Sequence, residues 1–459
     1  MKRVIILSVY LLLVISTFSQ DIKGTWNGVL NTGLSKLTLV LNISEKDGVY
    51  SATLDSPNQG AKGIPVSKIN FENAKLTLSI ANAGLEYEGI LQTDSIVGTF
   101  KQNGMVFPLN LKKTEEIYAR PQEPEPPYPY ISEDITFENK SAGITLAGTL
   151  SMPKEGKNFP AVILITGSGG QNRDEELMGH KPFLVISDYL TRNGIAVLRY
   201  DDRGVAKSGG NLSYATTADL STDAESAVAY LKTRKEINSK KIGLMGHSEG
   251  GVIAPMVAAR SKDVVFIVML AGTGLRGDII LSLQSELIQK VSGVPESRIA
   301  EVLKINAKIY DKIIKTNVNL SHQEITDFLT GMKTEIAAVT PGGISDDQVK
   351  ALATQMSSPW MQFFLRYDPA PALEKVKCPV LALNGEKDLQ VPPKENLSTI
   401  SSALKKGGNK KVTIKEYPGL NHLFQECTTG SPNEYAMIEQ TFSPEVLNDI
   451  VDWIKQIVR

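Results

Sequence analysis

Ile242-Gly-Leu-Met-Gly-His-Ser-Glu-Gly-Gly251 is the stretch whose reading decides the fold. Ile242–Met245 is a short apolar run, the kind that suits a strand buried on both faces of a parallel sheet. Gly246-His247-Ser248-Glu249-Gly250 follows with the form Gly-x-Ser-x-Gly, and Val252–Arg260 is compatible with a helix. Such a motif arises by chance about 0.2 times in a chain with Gly at roughly 7%, so its strand-to-helix setting counts for more than the match. A serine on so sharp a turn has a strained backbone and needs small neighbours, which Gly246, Gly250 and Gly251 supply. The turn lifts the hydroxyl above the sheet edge. It also places it at a helix N-terminus, where backbone N–H groups and the helix dipole favour a developing oxyanion.

A serine hydroxyl needs a base, and the base needs an orienting acid. The chain has four histidines. His247 is inside the turn itself, His180 precedes the serine's strand, and His322 falls in a helical insertion. His422 follows the last strand in Pro418-Gly-Leu-Asn-His422, where a base can hang over the sheet's C-terminal edge. The acid is expected at the end of the preceding strand. Asn384-Gly-Glu-Lys-Asp388 offers Glu386 and Asp388. Asp388 is the expected acid and Glu386 the expected solvated turn carboxylate.

Working outward, further unbroken apolar runs read as parallel strands: Ala161–Ile165, Ile195–Leu198, Val264–Leu270, Val380–Leu383 and Val412–Ile414. Ile135–Phe137 and Ile144–Leu150 read as a strand pair. Helical periodicity fills the gaps at Phe183–Arg192, Ala218–Lys232 and Pro444–Ile457, the last with Ser443 as N-cap and Pro at the first helical position. Alternating strand and helix predicts a doubly wound, mostly parallel α/β sheet. The gap after Ala271 is too long for one helix. It reads as helices Ile279–Val291, Ser297–Lys315, Glu324–Val339 and Asp346–Gln355, with capping boxes at Ser321–Glu324 and Ser345–Gln348. An all-helical insertion over 273–371 is a lid candidate. Trp360-Met-Gln-Phe-Phe364 ends it and either packs the insertion or lines a pocket over Ser248. Cys378 and Cys427 are expected at opposite ends of the sheet, ~17–20 Å apart, beyond the ~7 Å a disulfide tolerates.

Residues 21–115 alternate apolar and polar with a period of two: Leu37, Leu39, Leu41 and Ile43, then Leu76, Leu78 and Ile80, then Met105, Phe107, Leu109 and Leu111. Turn signals separate about eight short strands, which predicts a small antiparallel barrel or sandwich. It is either a packed accessory domain or a barrel that holds one small ligand. Five prolines at 121, 124, 126, 127 and 129 make 116–130 a Pro-rich linker, read as a semi-rigid spacer. Lys2 and Arg3 followed by the apolar run Val4–Ile15, with Thr17 and Ser19 as small residues, read as a secretory signal peptide over 1–20. The run is short of the roughly 20 apolar residues of a spanning helix. The mature chain is therefore expected to be exported, periplasmic or extracellular, with no membrane span.

Composition bounds the rest. Among 459 residues, 49 Lys and Arg balance 50 Asp and Glu, so no basic excess marks a nucleic-acid binder. Two cysteines exclude a disulfide scaffold. There is no Cys-x-x-Cys or His-Glu-x-x-His to bind zinc, so no cofactor and no metal is expected.

On these residues, 131–459 resembles the α/β-hydrolase family. Ser248, Asp388 and His422 stand in that family's order of serine, acid and histidine. Tyr200-Asp-Asp-Arg-Gly204 with Ser208 is similar to its Asp-x-Arg-Gly-x-Gly-x-Ser turn, with Ala206 where the second glycine stands. Ile165-Thr-Gly-Ser-Gly-Gly170 is similar to its oxyanion loop, with Thr166 in place of histidine. Gly-His-Ser-Glu-Gly-Gly, with Asn-Arg173-Asp174 after that loop, looks most like exported bacterial carboxylesterases near the serine aminopeptidase branch. The resemblance implies acyl transfer: Ser248 as nucleophile, His422 as base, Asp388 as its orienting acid, and the Ser168 and Glu249 backbone N–H groups as the oxyanion hole. Arg173 and Asp174 then serve either as structural ion pairing or as substrate contacts. The expected function is hydrolysis of small or medium acyl esters. The alternatives are a serine aminopeptidase of the same fold and a ligand-binding exported protein with an inert hydrolase domain.

Overall fold

The computed structural model describes residues 22–32, 36–46, 48–59, 61–114, 120–316, 318–340 and 342–459. The expected signal peptide lies outside these residues. Two compact units result, one from most of the first 115 residues and one that includes residues 120–459.

The first unit is one antiparallel sheet curled into a half-barrel. Its strands are β1 (Gly24–Asn31), β2 (Lys36–Lys46), β3 (Val49–Ser56), β4 (Ala61–Pro65), β5 (Lys68–Glu72), β6 (Lys75–Ile80), β7 (Leu85–Leu91), β8 (Ser95–Gln102) and β9 (Met105–Thr114). The order is β4-β3-β2-β1-β9-β8-β7-β6-β5, nine strands where the turn signals predict about eight. The expected period of two holds: Leu39, Leu41 and Ile43, and Leu76, Leu78 and Ile80, all face one core with Trp26 and Phe100. The Trp26 indole N–H, buried there, donates to the Ile22 carbonyl at 2.8 Å. Burial pushes the Tyr87 phenol pKa up.

The second unit is an eight-stranded sheet flanked by helices on both faces. Its strands are β10 (Ile131–Asn139), β11 (Ile144–Met152), β12 (Phe159–Ile165), β13 (Ala196–Tyr200), β14 (Ile237–His247), β15 (Phe266–Leu270), β16 (Val380–Gly385) and β17 (Val412–Tyr417). The order is β10-β11-β13-β12-β14-β15-β16-β17. The β10–β11 hairpin joins antiparallel and the remaining pairs are parallel. The continuous apolar runs arise because each strand feeds two cores. Ile163, Ile242 and Leu244 face one side; Val162, Leu164 and Met245 face the other. Helices α1 (Pro182–Arg192), α2 (Thr217–Leu231) and α3 (Gly250–Ala258) alternate with these strands.

The insertion between β15 and β16 contains α4 (Gly277–Val291), α5 (Glu296–Ile314), α6 (His322–Gly331), α7 (Lys333–Val339), α8 (Asp346–Ser357), α9 (Pro359–Arg366) and α10 (Ala370–Leu373). The expected single helix over 324–339 is two, broken at Met332 just after Gly331, a weak helix former. Both predicted capping boxes form. α11 (Pro393–Lys406) and α12 (Pro444–Ile457) complete the unit. Ser443 sits at the N-cap of α12, but its side chain makes no cap bond. Cys378 and Cys427 are unbridged. No helix among the described residues is long and apolar enough to cross a membrane.

The Pro-rich segment, read as a semi-rigid spacer, is also bonded to the α/β unit. Arg120 donates to the carbonyls of Gly179, Ala436 and Ile438. Gln122 bonds Phe442 O and the N–H groups of Thr441 and Phe442. Glu123 accepts the Lys181 N–H. Residues 120–130 are therefore anchored to the α/β unit. Proline fixes φ but leaves neighbouring side chains free to find partners.

Candidate active site

The apolar strand β14 ends in a turn that only small residues permit. Ser248 has φ of 52°, the left-handed region that costs a non-glycine residue roughly 1–2 kcal/mol. A Cβ on Gly246 would lie 1.9 Å from the Gly250 carbonyl oxygen, and one on Gly250 would lie 2.1 Å from the Ile165 carbonyl oxygen. The chain can therefore reverse from β14 into α3 directly beneath the serine. The Ser248 N–H is committed to Leu270 O at 2.8 Å, and the Ser248 carbonyl accepts the Gly251 N–H.

His422 and Asp388 come from the two loops that follow β17 and β16. His422 Nδ1 lies 2.8 Å from Asp388 Oδ2, and both side chains are buried. The other carboxylate oxygen, Oδ1, accepts the N–H groups of Gln390 and Val391, each at 2.8 Å. That leaves one oxygen for the imidazole and fixes the carboxylate plane. Glu386 accepts the Gly419 N–H at 2.9 Å on the outside of the same turn. It is a local brace, and of the two carboxylates Asp388 is the one that meets His422.

The loop after β12 packs against the turn. A Cβ on Gly167 would be 3.3 Å from the Ser248 Cβ. The Gly167 N–H is taken by Glu175 Oε1. Neither the Ser168 nor the Glu249 N–H reaches an acceptor among the described residues, and both residues line a cavity of about 70 Å³ with Ser248. Thr166, in the histidine's position, donates to Asp202 Oδ1 at 2.7 Å, while Asp202 Oδ2 accepts the Gln171 N–H. Burial pushes the Asp202 carboxyl up to about 8, against the lowering effect of those two hydrogen bonds. Ala206 has φ of 46°, which explains why glycine is the family's residue there.

Arg173 and Asp174 do not pair with each other. Arg173 forks onto Asp201 and also reaches Asp134 and Thr149; Asp174 pairs with Arg199. Neither lines the Ser248 cavity. His180 is buried against Thr441 and the Tyr435 carbonyl, and burial lowers its pKa to about 4. His322 lies exposed on the insertion, near Thr354.

Two partnerships escape the sequence reading. His247 Nδ1 faces Glu175 Oε1 at 3.0 Å, and its Nε2 faces the His422 carbonyl at 3.0 Å. Burial works against charging this imidazole, but the Glu175 charge and hydrogen bond outweigh it and its pKa is raised. With both ring nitrogens facing acceptors, the imidazolium satisfies both. The second concerns Glu249. Its Oε1 accepts the Thr217 hydroxyl at 2.6 Å and the Trp360 indole N–H at 2.8 Å. Oε2 has no partner among the described residues, and burial pushes this carboxyl pKa up. The Glu175 signal was present only as an acidic residue close behind the Ser-Gly-Gly loop. No cluster of three or more His, Cys, Asp or Glu among the described residues is placed to hold a metal ion.

The sheet, the strained serine turn and the helical insertion together define an α/β-hydrolase. The profile of the serine aminopeptidase S33 family matches residues 182–426, and the chain belongs to that family. It is similar to esterase EstD of Thermotoga maritima, 27% identical over 323 residues that cover 70% of this chain and 68% of that protein. Among solved structures, it resembles an esterase of Pyrococcus furiosus with a TM-score of 0.44 and 15% identity, over 72% of this chain and 92% of that one. A hypothetical protein of Pseudomonas aeruginosa, PA2218, gives a TM-score of 0.46 at 18% identity, over 75% of this chain and 98% of that one.

Proposed function

We propose that this chain is a carboxylic ester hydrolase that works through a Ser248–His422–Asp388 triad and an acyl-enzyme on small or medium acyl esters. The observation that carries the reading is the buried 2.8 Å contact between His422 Nδ1 and Asp388 Oδ2, in loops beside the turn that bears Ser248. Asp388 keeps the proton on Nδ1, which leaves Nε2 free to act as base. Ser248 Oγ attacks the ester carbonyl as its proton passes to His422. The tetrahedral oxyanion takes the Ser168 and Glu249 N–H groups, each worth about 3–4 kcal/mol in the transition state. The imidazolium then protonates the departing alcohol. Water, deprotonated by the same histidine, repeats the sequence and releases the acid. The leader-like N-terminus supports action outside the cytoplasm, after export and cleavage.

The family's name favours a second reading, aminopeptidase action. One preparation separates the two: p-nitrophenyl acyl esters against aminoacyl p-nitroanilides, with fluorophosphonate labelling in parallel. Ester turnover with Ser248 labelled is the expected result. Faster anilide turnover would make it a peptidase, and absence of both turnover and label would end the serine-hydrolase reading.

A further inference from the structure

The cavity over Ser248 is roofed by two helices of the insertion, and its roof is fixed by several independent contacts. Ile280 and Gln284 on α4, and Trp360 and Phe364 on α9, are each four residues apart and so share one helix face. Trp360 stacks on Phe364 with ring centroids 5.0 Å apart and 12° between planes. The indole N–H is tied to Glu249, beside the serine. Gln284 donates to Gln390 Oε1 at 3.2 Å, and the Gln390 N–H is itself held by Asp388. The two helices also meet closely: a Cβ on Gly277 would lie 2.0 Å from the Phe364 carbonyl oxygen. Lifting this roof would strip a buried carboxyl of a donor, so the cavity's small size is a built property and not slack.

We infer that Trp360 and Phe364 set acyl length and make this site selective for acetyl-sized groups; the inference rests on the esterase reading above. The space is about 70 Å³, roughly half of the ~150 Å³ cavity that accommodates benzene, so it suits a group of only a few heavy atoms. Ser248 and both oxyanion donors line that space, so the ester carbonyl sits at its floor and the acyl tail must run toward the Trp360–Phe364 stack. The alcohol leaves on the side of His422, which protonates it and does not line this space. A pocket of this kind discriminates each extra methylene by roughly 10-fold or more when nothing yields.

The test compares p-nitrophenyl acetate, butyrate and octanoate, and in parallel a series of acetates of lengthening alcohols. For the native protein, kcat/KM should fall at least about 100-fold from acetate to octanoate and change far less along the alcohol series. Trp360→Ala and Phe364→Ala each open the roof, and either one that folds should narrow or invert the acyl ratio. Equal native rates on acetate and octanoate would overturn the inference. So would a steep dependence on the alcohol, or an unchanged acyl ratio in the folded variants. Absence of ester turnover and of fluorophosphonate label on the native protein would instead sink the esterase reading beneath it.

Discussion

Glu175 Oε1 serves two donors at once: it accepts the Gly167 N–H at 2.7 Å and faces His247 Nδ1 at 3.0 Å. One buried oxygen thereby joins the loop that carries Ser168 to the turn that carries Ser248. Through His247 Nε2 and the His422 carbonyl, the same chain reaches the proposed base.

Glu175→Gln should therefore lower stability and activity together. It leaves a buried imidazole without its counter-charge, which costs about 3 kcal/mol. Displacement of the Ser168 loop should lower kcat by about 10–100-fold. The loss has a definite pH sign. His247 holds its proton more tightly folded than unfolded. Its contribution is fully present below about pH 6.5, the unfolded value, and is lost as pH rises through the raised folded value. Urea denaturation should show the native protein's advantage over Glu175→Gln shrinking as the pH rises above about 6.5. An advantage that stays constant with pH over that range would mean that His247 is neutral in the fold.

Ser248 should reveal a conflict between stability and chemistry. Ser248→Ala should lose fluorophosphonate labelling and about 10⁵–10⁶ in kcat. Ser248→Gly should be equally inactive yet about 1 kcal/mol more stable than Ser248→Ala, because glycine accepts φ of 52° without the Cβ penalty. Thermal melts of the two variants measure this directly. Equal stability would show that the turn is relaxed rather than strained.

Asp388→Asn has a predictable failure mode. The Asn Oδ1 can keep the Gln390 and Val391 N–H bonds, which turns its NH₂ toward His422 Nδ1. That makes Nδ1 an acceptor and puts the imidazole proton on Nε2, where it cannot accept the Ser248 proton. The expected loss in kcat is about 10³–10⁴ with little change in stability. Glu386→Gln should stay within about threefold in kcat, a barrier change under ~1 kcal/mol, since among the described residues the Glu386 carboxylate bonds only the Gly419 N–H. A reversed pattern in steady-state kinetics would move the acid to Glu386.

What the sequence revealed and what it hid divide along physical lines. The strand Ile242–Met245 was legible because burial on both faces forces an apolar run, and the capping boxes because their partners lie three residues apart. The α6–α7 break was not, because Ile325, Leu329, Met332 and Ile336 keep helical spacing across it. Asp388 and His422 followed from strand ends. Glu175 did not, because its partner His247 is 72 residues away and only packing brings them together. The prolines at 121–129 announced stiffness, but docking depends on the Arg120 and Gln122 side chains meeting backbone groups some 320 residues later, and on Glu123 meeting the Lys181 N–H.

That docking makes the last prediction. Arg120 binds three carbonyls, two of them at Ala436 and Ile438, and Gln122 clips Thr441 and Phe442. The loop they hold carries Tyr435, whose hydroxyl accepts from Gln390 and whose carbonyl faces His180. Gln390 neighbours Asp388, so the segment braces the acid's loop from behind. Arg120→Ala removes charge-assisted bonds worth about 1.5–3 kcal/mol in total, since part of the guanidinium is solvated. Gln122→Ala should cost about 1 kcal/mol. Hydrogen exchange should quicken over residues 432–442 in both variants, with kcat lowered by less than about tenfold because no reacting group is touched. Unfolding free energies within about 0.5 kcal/mol of the native protein, with unchanged exchange in that loop, would show that the segment is a passive spacer after all.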